Sequence, residues 1–131
     1  MIFVDSGAWF ASLIPMDPDH AAASAWLAQN REPLVTTDYI VDETLTLLRV
    51  RGQKSRAASF GSNVLAGALA QLHYLTPDEF QEAWEIFRRY DDKDWSFTDC
   101  TSKRVIEKLG IAQAFSFDHH FRQFGNVIVV P

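Results

Sequence analysis

Met1-Ile2-Phe3-Val4-Asp5-Ser6-Gly7 is an apolar run that ends abruptly in a carboxylate and turns into Ala8-Trp9-Phe10-Ala11. It reads as a buried strand, a tight turn and a helix start. Residues of both parities in the run are apolar, as expected for a central strand of a parallel sheet covered on both faces. Ligands of open α/β sheets bind beyond the carboxyl ends of the strands, and Asp5 stands at that edge. Aspartate is also a common helix N-cap, so this stretch alone leaves a cap and a functional acid level. A second copy of the pattern, Ala114-Phe115-Ser116-Phe117-Asp118, tips the balance towards function.

The chain between these copies alternates helices and strands. Short helices are expected over Ser6–Leu13 and up to Gln29, the second capped by Asp17 or Asp19 and packed through Ala22, Trp26 and Leu27. A strand over Leu34–Thr37 leads into a helix opened by Asp38, with Ile40, Val41, Thr44, Leu45 and Leu48 on one stripe of period 3.6. Gly52 ends it. A helix over Ser55–Leu69 and a strand over Leu72–Leu75 follow. Thr76-Pro77-Asp78-Glu79 is a helix entrance with Thr at the cap and Pro in the first turn. That helix runs to Tyr90 and is expected to bury Phe80, Ala83, Trp84 and Phe87. Ser96-Phe97-Thr98-Asp99 forms a capping box for a helix ending at Leu109-Gly110. Strands over 114–117 and 126–130 close the series. This order predicts an α/β/α sandwich with a mainly parallel five-stranded sheet, in one domain over residues 1–131.

Composition supplies the core: 47% of the 131 residues are hydrophobic, ten are Phe and four are Trp. No window has the uninterrupted apolar length of a membrane span, and no basic n-region of a signal peptide precedes the first strand. The single cysteine, Cys100, excludes an internal disulfide and a Cys-based zinc site, and fits a reducing cytoplasm. The net charge of −5 is not that of a general nucleic-acid binder. Arg49, Arg51, Lys54 and Arg56 nevertheless form a basic cluster, with no acid between Thr44 and Tyr74. An acidic protein with one such patch can hold a polyanion locally.

Four acids gather where parallel strands end and helices begin: Asp5, Glu43, Asp99 and Asp118. Carboxylates crowded there repel one another unless a cation offsets the charge. Hard divalent cations take oxygen ligands. An acidic pocket without His or Cys ligands therefore points to Mg²⁺ or Mn²⁺, ions that polarise phosphoryl oxygens and activate water.

The chain resembles the PIN-domain ribonucleases, and within them the VapC toxins of bacterial toxin–antitoxin pairs. The resemblance runs through Ile2-Phe3-Val4-Asp5-Ser6-Gly7-Ala8-Trp9 and Thr37-Asp38-Tyr39-Ile40-Val41-Asp42-Glu43-Thr44. It continues through Asp94-Trp95-Ser96-Phe97-Thr98-Asp99-Cys100 and Phe115-Ser116-Phe117-Asp118-His119-His120-Phe121, and closes at Phe124-Gly125. It implies a PIN-like fold and metal-dependent hydrolysis of RNA phosphodiesters, leaving a 5′-phosphate and a 3′-hydroxyl. The family's four acids map in order to Asp5, Glu43, Asp99 and Asp118. Asp5, Asp99 and Asp118 would hold Mg²⁺ or Mn²⁺, and Glu43 would complete the metal shell or orient the attacking water. The resemblance also implies a homodimer and a cognate VapB-like antitoxin, whose helix would lie in a groove lined by Trp9, Phe10, Leu13, Trp26 and Leu27.

Bland roles compete for several residues. Helical phase hardly separates Asp42 from Glu43, so the choice of Glu43 rests on the resemblance. Asp38 reads as a helix cap and Asp94 as a solvated loop acid and secondary metal candidate. His120 reads as part of a structural turn, with Phe121 in the core and His119 exposed. Cys100 reads as a buried small residue, although a helix start can lower a thiol pKa. The Arg49–Arg56 cluster would hold RNA phosphates without choosing sequence. A binding-only PIN-like module has no reason to concentrate carboxylates at one edge. A phosphatase of related fold would show Asp-x-Asp after the first strand, and no phosphate-binding Gly-x-x-x-x-Gly-Lys loop of an NTPase is present.

Overall fold

A computed structural model describes all 131 residues. Five strands alternate with six helices: β1 (Ile2–Val4), α1 (Ser6–Leu13), α2 (His20–Gln29), β2 (Leu34–Thr37), α3 (Asp38–Val50), α4 (Lys54–Leu65), β3 (Gln71–His73), α5 (Pro77–Arg89), α6 (Phe97–Leu109), β4 (Gln113–Phe115) and β5 (Ile128–Val130). A short 3₁₀ helix, His119–Gln123, bridges β4 and β5. The sheet runs β3-β2-β1-β4-β5 and every neighbouring pair is parallel. The chain winds from β1 through β2 to β3 on one side and then crosses to β4 and β5 on the other, so β1 and β4 flank the switch point at which open α/β sheets build their sites.

β1 is central and its three residues are buried. Its register sets Val4 beside Phe115, so Asp5 and Ser116 leave neighbouring strands together. Phe3, Phe115 and Phe121 are fully buried, and Phe3 and Phe121 pack with ring centroids 6.1 Å apart. Burying such a side chain contributes roughly 1.5–3 kcal/mol each, so the core sits directly beneath the sheet edge that carries the acids.

Local chemistry sets the helix starts. Thr76 accepts from the Glu79 N–H while Glu79 accepts from the Thr76 N–H, and Ser96 and Asp99 repeat this reciprocal pairing. Gly110 ends α6 at φ 65°, a left-handed position that a Cβ would strain. Three expectations change. Thr37, not Asp38, caps α3 by accepting from the Ile40 N–H at 3.1 Å, and Asp38 instead accepts from the Leu75 N–H. α4 stops at Leu65 rather than Leu69, because Gly67 takes φ 73°. β3 and β4 begin one residue early and end two residues early, leaving Ser116 to Asp118 outside the strand.

The largest correction concerns α5. Ala83 is buried, but Phe80, Trp84 and Phe87 are 45%, 44% and 41% exposed. Their rings pack on each other and on Tyr39 and Phe97 rather than entering the core. Beside Ala83, the other fully buried residue of α5 is an acid, Glu79. His73 Nε2 stands 3.0 Å from both its oxygens, the Thr76 N–H donates at 2.8 Å and Lys108 Nζ lies at 3.8 Å. Burial alone would raise its pKa, yet the Thr76 N–H and His73 outweigh burial and hold it low. On α2, Ala23 is buried in place of Ala22.

Candidate active site at the carboxyl edge of the sheet

Asp5 occupies the N-cap position of α1, but its side chain makes no capping bond. Instead Asp5 Oδ2 accepts from the Ser116 hydroxyl at 3.1 Å, across the β1–β4 junction. Ser116 Oγ in turn accepts from the Asp118 N–H at 3.0 Å. One hydroxyl thus ties the acid after β1 to the acid after β4.

Asp99 reaches the same corner from the third position of α6. Its Oδ2 accepts from the Ser96 N–H at 3.0 Å and lies 3.1 Å from His120 Nδ1. The capping and site roles therefore fall on one oxygen. His120 Nδ1 also lies 3.4 Å from Asp118 Oδ1, which accepts from the His120 N–H at 2.9 Å. Asp118, His119 and His120 offer ligand atoms within 4.8 Å of one another. Glu43, in the second turn of α3, accepts a short hydrogen bond from the Ser6 hydroxyl. Serines on α1 and after β4 thus anchor two of the acids.

The charge in this corner is uncompensated by any lysine or arginine. Every such ion pair goes elsewhere, to Glu79, Glu82, Glu85, Asp92 or Glu107. Asp5 is 3% exposed, and its burial, with Asp118 and Asp99 adding repulsion, pushes its pKa up to about 7 against the Ser6 and Ser116 hydrogen bonds. Asp99 is also raised, by burial and then Asp118, against the Ser96 N–H and His120. A divalent cation would relieve both, and a set of carboxylate oxygens suits Mg²⁺ or Mn²⁺. The donor set fits such an ion.

The structure brings Asp5, Asp99 and Asp118 together and ties Glu43 to the first residue of α1. It also separates Glu43 from Asp42, which is exposed while Glu43 is half-buried. Asp94 is exposed in its loop. The basic cluster stands apart from the acids: Arg49, Arg51, Lys54 and Arg56 are all exposed around the far end of α3. Arg49 lies about 9 Å along the helix axis from Glu43. Trp9 and Phe10 belong to the core rather than lining a surface groove, while Leu13, Trp26 and Leu27 are half-buried beside it. Of the tryptophans, Trp84 is the exposed one. Cys100 is fully buried, and burial and then Asp99 push its thiol up to about 11, which excludes an activated thiolate.

His120 lies in the expected turn, with Phe121 in the core and His119 exposed, but its ring also faces two acids of a pocket read as free of histidine ligands. The 3₁₀ turn after Asp118 swings the ring back over the edge, a direction that strand or α-helical periodicity does not encode. The run Asp118-His119-His120 was the available signal.

Comparison with known proteins agrees with this architecture. The PIN domain family matches residues 2–127. The chain is 34% identical over 131 residues to the 23S rRNA-specific endonuclease VapC20 of Mycobacterium tuberculosis, covering 100% of this chain and 99% of that protein. A VapC ribonuclease of Archaeoglobus fulgidus is 29% identical over 123 residues, covering 90% of this chain and 77% of that one. The crystal structure of the Mycobacterium tuberculosis VapC20, a Sarcin-Ricin loop cleaving toxin, superposes with a TM-score of 0.93 at 32% identity over the whole of both chains. FitAcB from Neisseria gonorrhoeae shares the fold at a TM-score of 0.68 and 12% identity, over 100% of this chain and 97% of that one. With its parallel sheet order and its acids gathered where β1, β4 and α6 meet, the chain belongs to the PIN-domain family and matches the VapC20 toxin of Mycobacterium tuberculosis from end to end.

Proposed function

We propose that this chain is a single PIN domain over residues 1–131 acting as a metal-dependent endoribonuclease, the toxin of a toxin–antitoxin pair. The observation that carries the reading is the uncompensated carboxylate corner: Asp5, Asp99 and Asp118 tied through Ser116 and His120, with no lysine or arginine paired to them. Mg²⁺ or Mn²⁺ held by Asp5, Asp99 and Asp118 would offset charge on a phosphodiester. Burial, with repulsion first from Asp118, raises both Asp5 and Asp99, and a bound cation would offset that penalty. Ser6 fixes the Glu43 carboxylate, which orients the attacking water.

RNA is the substrate class, and the 34% identity to a 23S rRNA-specific endonuclease makes a ribosomal RNA stem-loop the first substrate to test. The exposed Arg49–Arg56 cluster would add sequence-independent phosphate contacts beyond the corner. The partners are a VapB-like antitoxin and a second copy of the chain. The aromatic face of Phe80, Trp84 and Phe87 supports self-association, because large exposed aromatics concentrate at the centres of interfaces.

The test is cleavage of a cellular RNA pool by purified protein with Mg²⁺, Mn²⁺ or EDTA, beside Asp5→Asn. Discrete metal-dependent cuts that vanish in the variant are expected. A folded, antitoxin-free, metal-loaded protein that cuts nothing would instead support a module that binds RNA or protein without cleaving.

A further inference from the structure

His120 brings a ring nitrogen into the carboxylate corner. Its Nδ1 lies 3.1 Å from Asp99 Oδ2 and 3.4 Å from Asp118 Oδ1. Adjacent ligand atoms around an octahedral divalent cation, with bonds of about 2.1 Å, stand about 3 Å apart. The nitrogen stands near that spacing from each of two oxygens, one on α6 and one at the start of the turn that carries His120 itself. The residue is also held: its backbone N–H donates to Asp118 at 2.9 Å, its ring packs on the His119 ring at 4.3 Å between centroids, and the next residue, Phe121, is fully buried. His119 is no equal candidate, since its side chain is 78% exposed and its Nδ1 is 3.7 Å from Asp118.

We propose that His120 Nδ1 is a direct ligand of the cation shared by Asp99 and Asp118, and that it biases the site towards first-row transition ions over Mg²⁺. The inference rests on the four-acid reading and adds a nitrogen to it. Carboxylates alone serve Mg²⁺ and Mn²⁺ alike, whereas a neutral imidazole favours transition ions, and Mg²⁺ gives up water reluctantly. The rival role is a hydrogen bond that only steadies Asp99. A supporting residue of that kind lowers affinity about 10–100-fold when removed, but it does so for both ions. The ratio of affinities therefore separates a ligand from a support.

The experiment is calorimetric titration of the purified full chain with Mn²⁺ and with Mg²⁺, in wild type, His120→Ala, His120→Asp and Asp5→Asn. Pulsed EPR of the Mn²⁺-loaded protein is run alongside. The expected result is a Mn²⁺-over-Mg²⁺ preference that falls about tenfold in His120→Ala and His120→Asp, with Mg²⁺ affinity recovered in His120→Asp. Nitrogen modulation in the wild-type EPR signal should disappear in both His120 variants. Equal losses for both ions, with no nitrogen modulation in wild type, would overturn the ligand role and leave the carboxylate site standing. No binding of either ion by folded wild-type protein would overturn the carboxylate site as well.

Discussion

The hydroxyl of Ser116 donates to Oδ2 of Asp5 at 3.1 Å, joining residues 111 positions apart. Its oxygen also receives the Asp118 N–H, so one small side chain sets the spacing of two acids. A hydrogen bond to a charged group contributes roughly 1.5–3 kcal/mol. Ser116→Ala is expected to lower metal-dependent RNA cleavage at pH 7 about tenfold with the fold intact, measured by initial rates and circular dichroism. Unchanged rates would show that Asp5 is positioned without Ser116.

The raised pKa of Asp5 gives metal-free stability a specific pH dependence. The unfolded carboxyl titrates near 3.8 and the folded one near 7. Between these values the native state keeps a proton that the unfolded state has lost, so this group's contribution falls as pH rises from about 4 to about 7. Above that window both states are ionised and the slope vanishes. In EDTA, Asp5→Asn should flatten this decline and raise Tm at pH 8 by roughly 5 °C. Parallel pH profiles for the two proteins would contradict the assignment.

Saturating Mn²⁺ or Mg²⁺ should raise Tm by selective binding to the native state, about 2.7 kcal/mol at a hundredfold excess over Kd. EDTA should reverse the shift. Asp5→Asn and Asp99→Asn should each weaken it, and a metal response undiminished in both variants would sink the assigned site.

Of the adjacent acids, Asp42 is exposed and Glu43 is half-buried, and only Glu43 is held by the Ser6 hydroxyl. Glu43→Gln should therefore cut cleavage at least a hundredfold, whereas Asp42→Asn and the loop variant Asp94→Asn should stay within about twofold of wild type. Cleavage assays on one RNA fragment decide the matter.

Trp84 is 44% exposed in a face of stacked aromatics. Trp84→Ser should leave Tm of the monomeric unit within a few degrees while shifting the sedimentation mass from dimer towards monomer. A dimer that persists in Trp84→Ser would place the interface on another face.

Much of the architecture is legible before folding because it is local. The apolar run Ile2–Val4, the capping sequences at Thr76 and Ser96 and the glycine after Leu109 act through their immediate neighbours, and each element forms where those signals stand. Asp5 and Asp118 are legible for the same reason, as carboxylates that end apolar runs. Amphipathic phase is less faithful. It placed Phe80, Trp84 and Phe87 in the core, whereas α5 turns Ala83 and Glu79 inward and its aromatics outward. A helix pattern shows that a stripe is apolar, not what covers it.

By itself the sequence determined the order of the elements and the parallel α/β class, and it marked Asp5 and Asp118 as acids that end apolar runs. These follow from short-range periodicity and turn chemistry, whereas the choice of Glu43 over Asp42 rests on the family resemblance. Only the tertiary structure decided which carboxylates meet. The register of β1 on β4 puts Ser116 against Asp5, the Ser96 box turns Asp99 into the corner, and the 3₁₀ turn carries His120 between Asp99 and Asp118. The Ser116–Asp5 and His120–Asp99 contacts join residues 111 and 21 positions apart, and side-chain direction at a turn is set by the packing beneath it rather than by the residues in it.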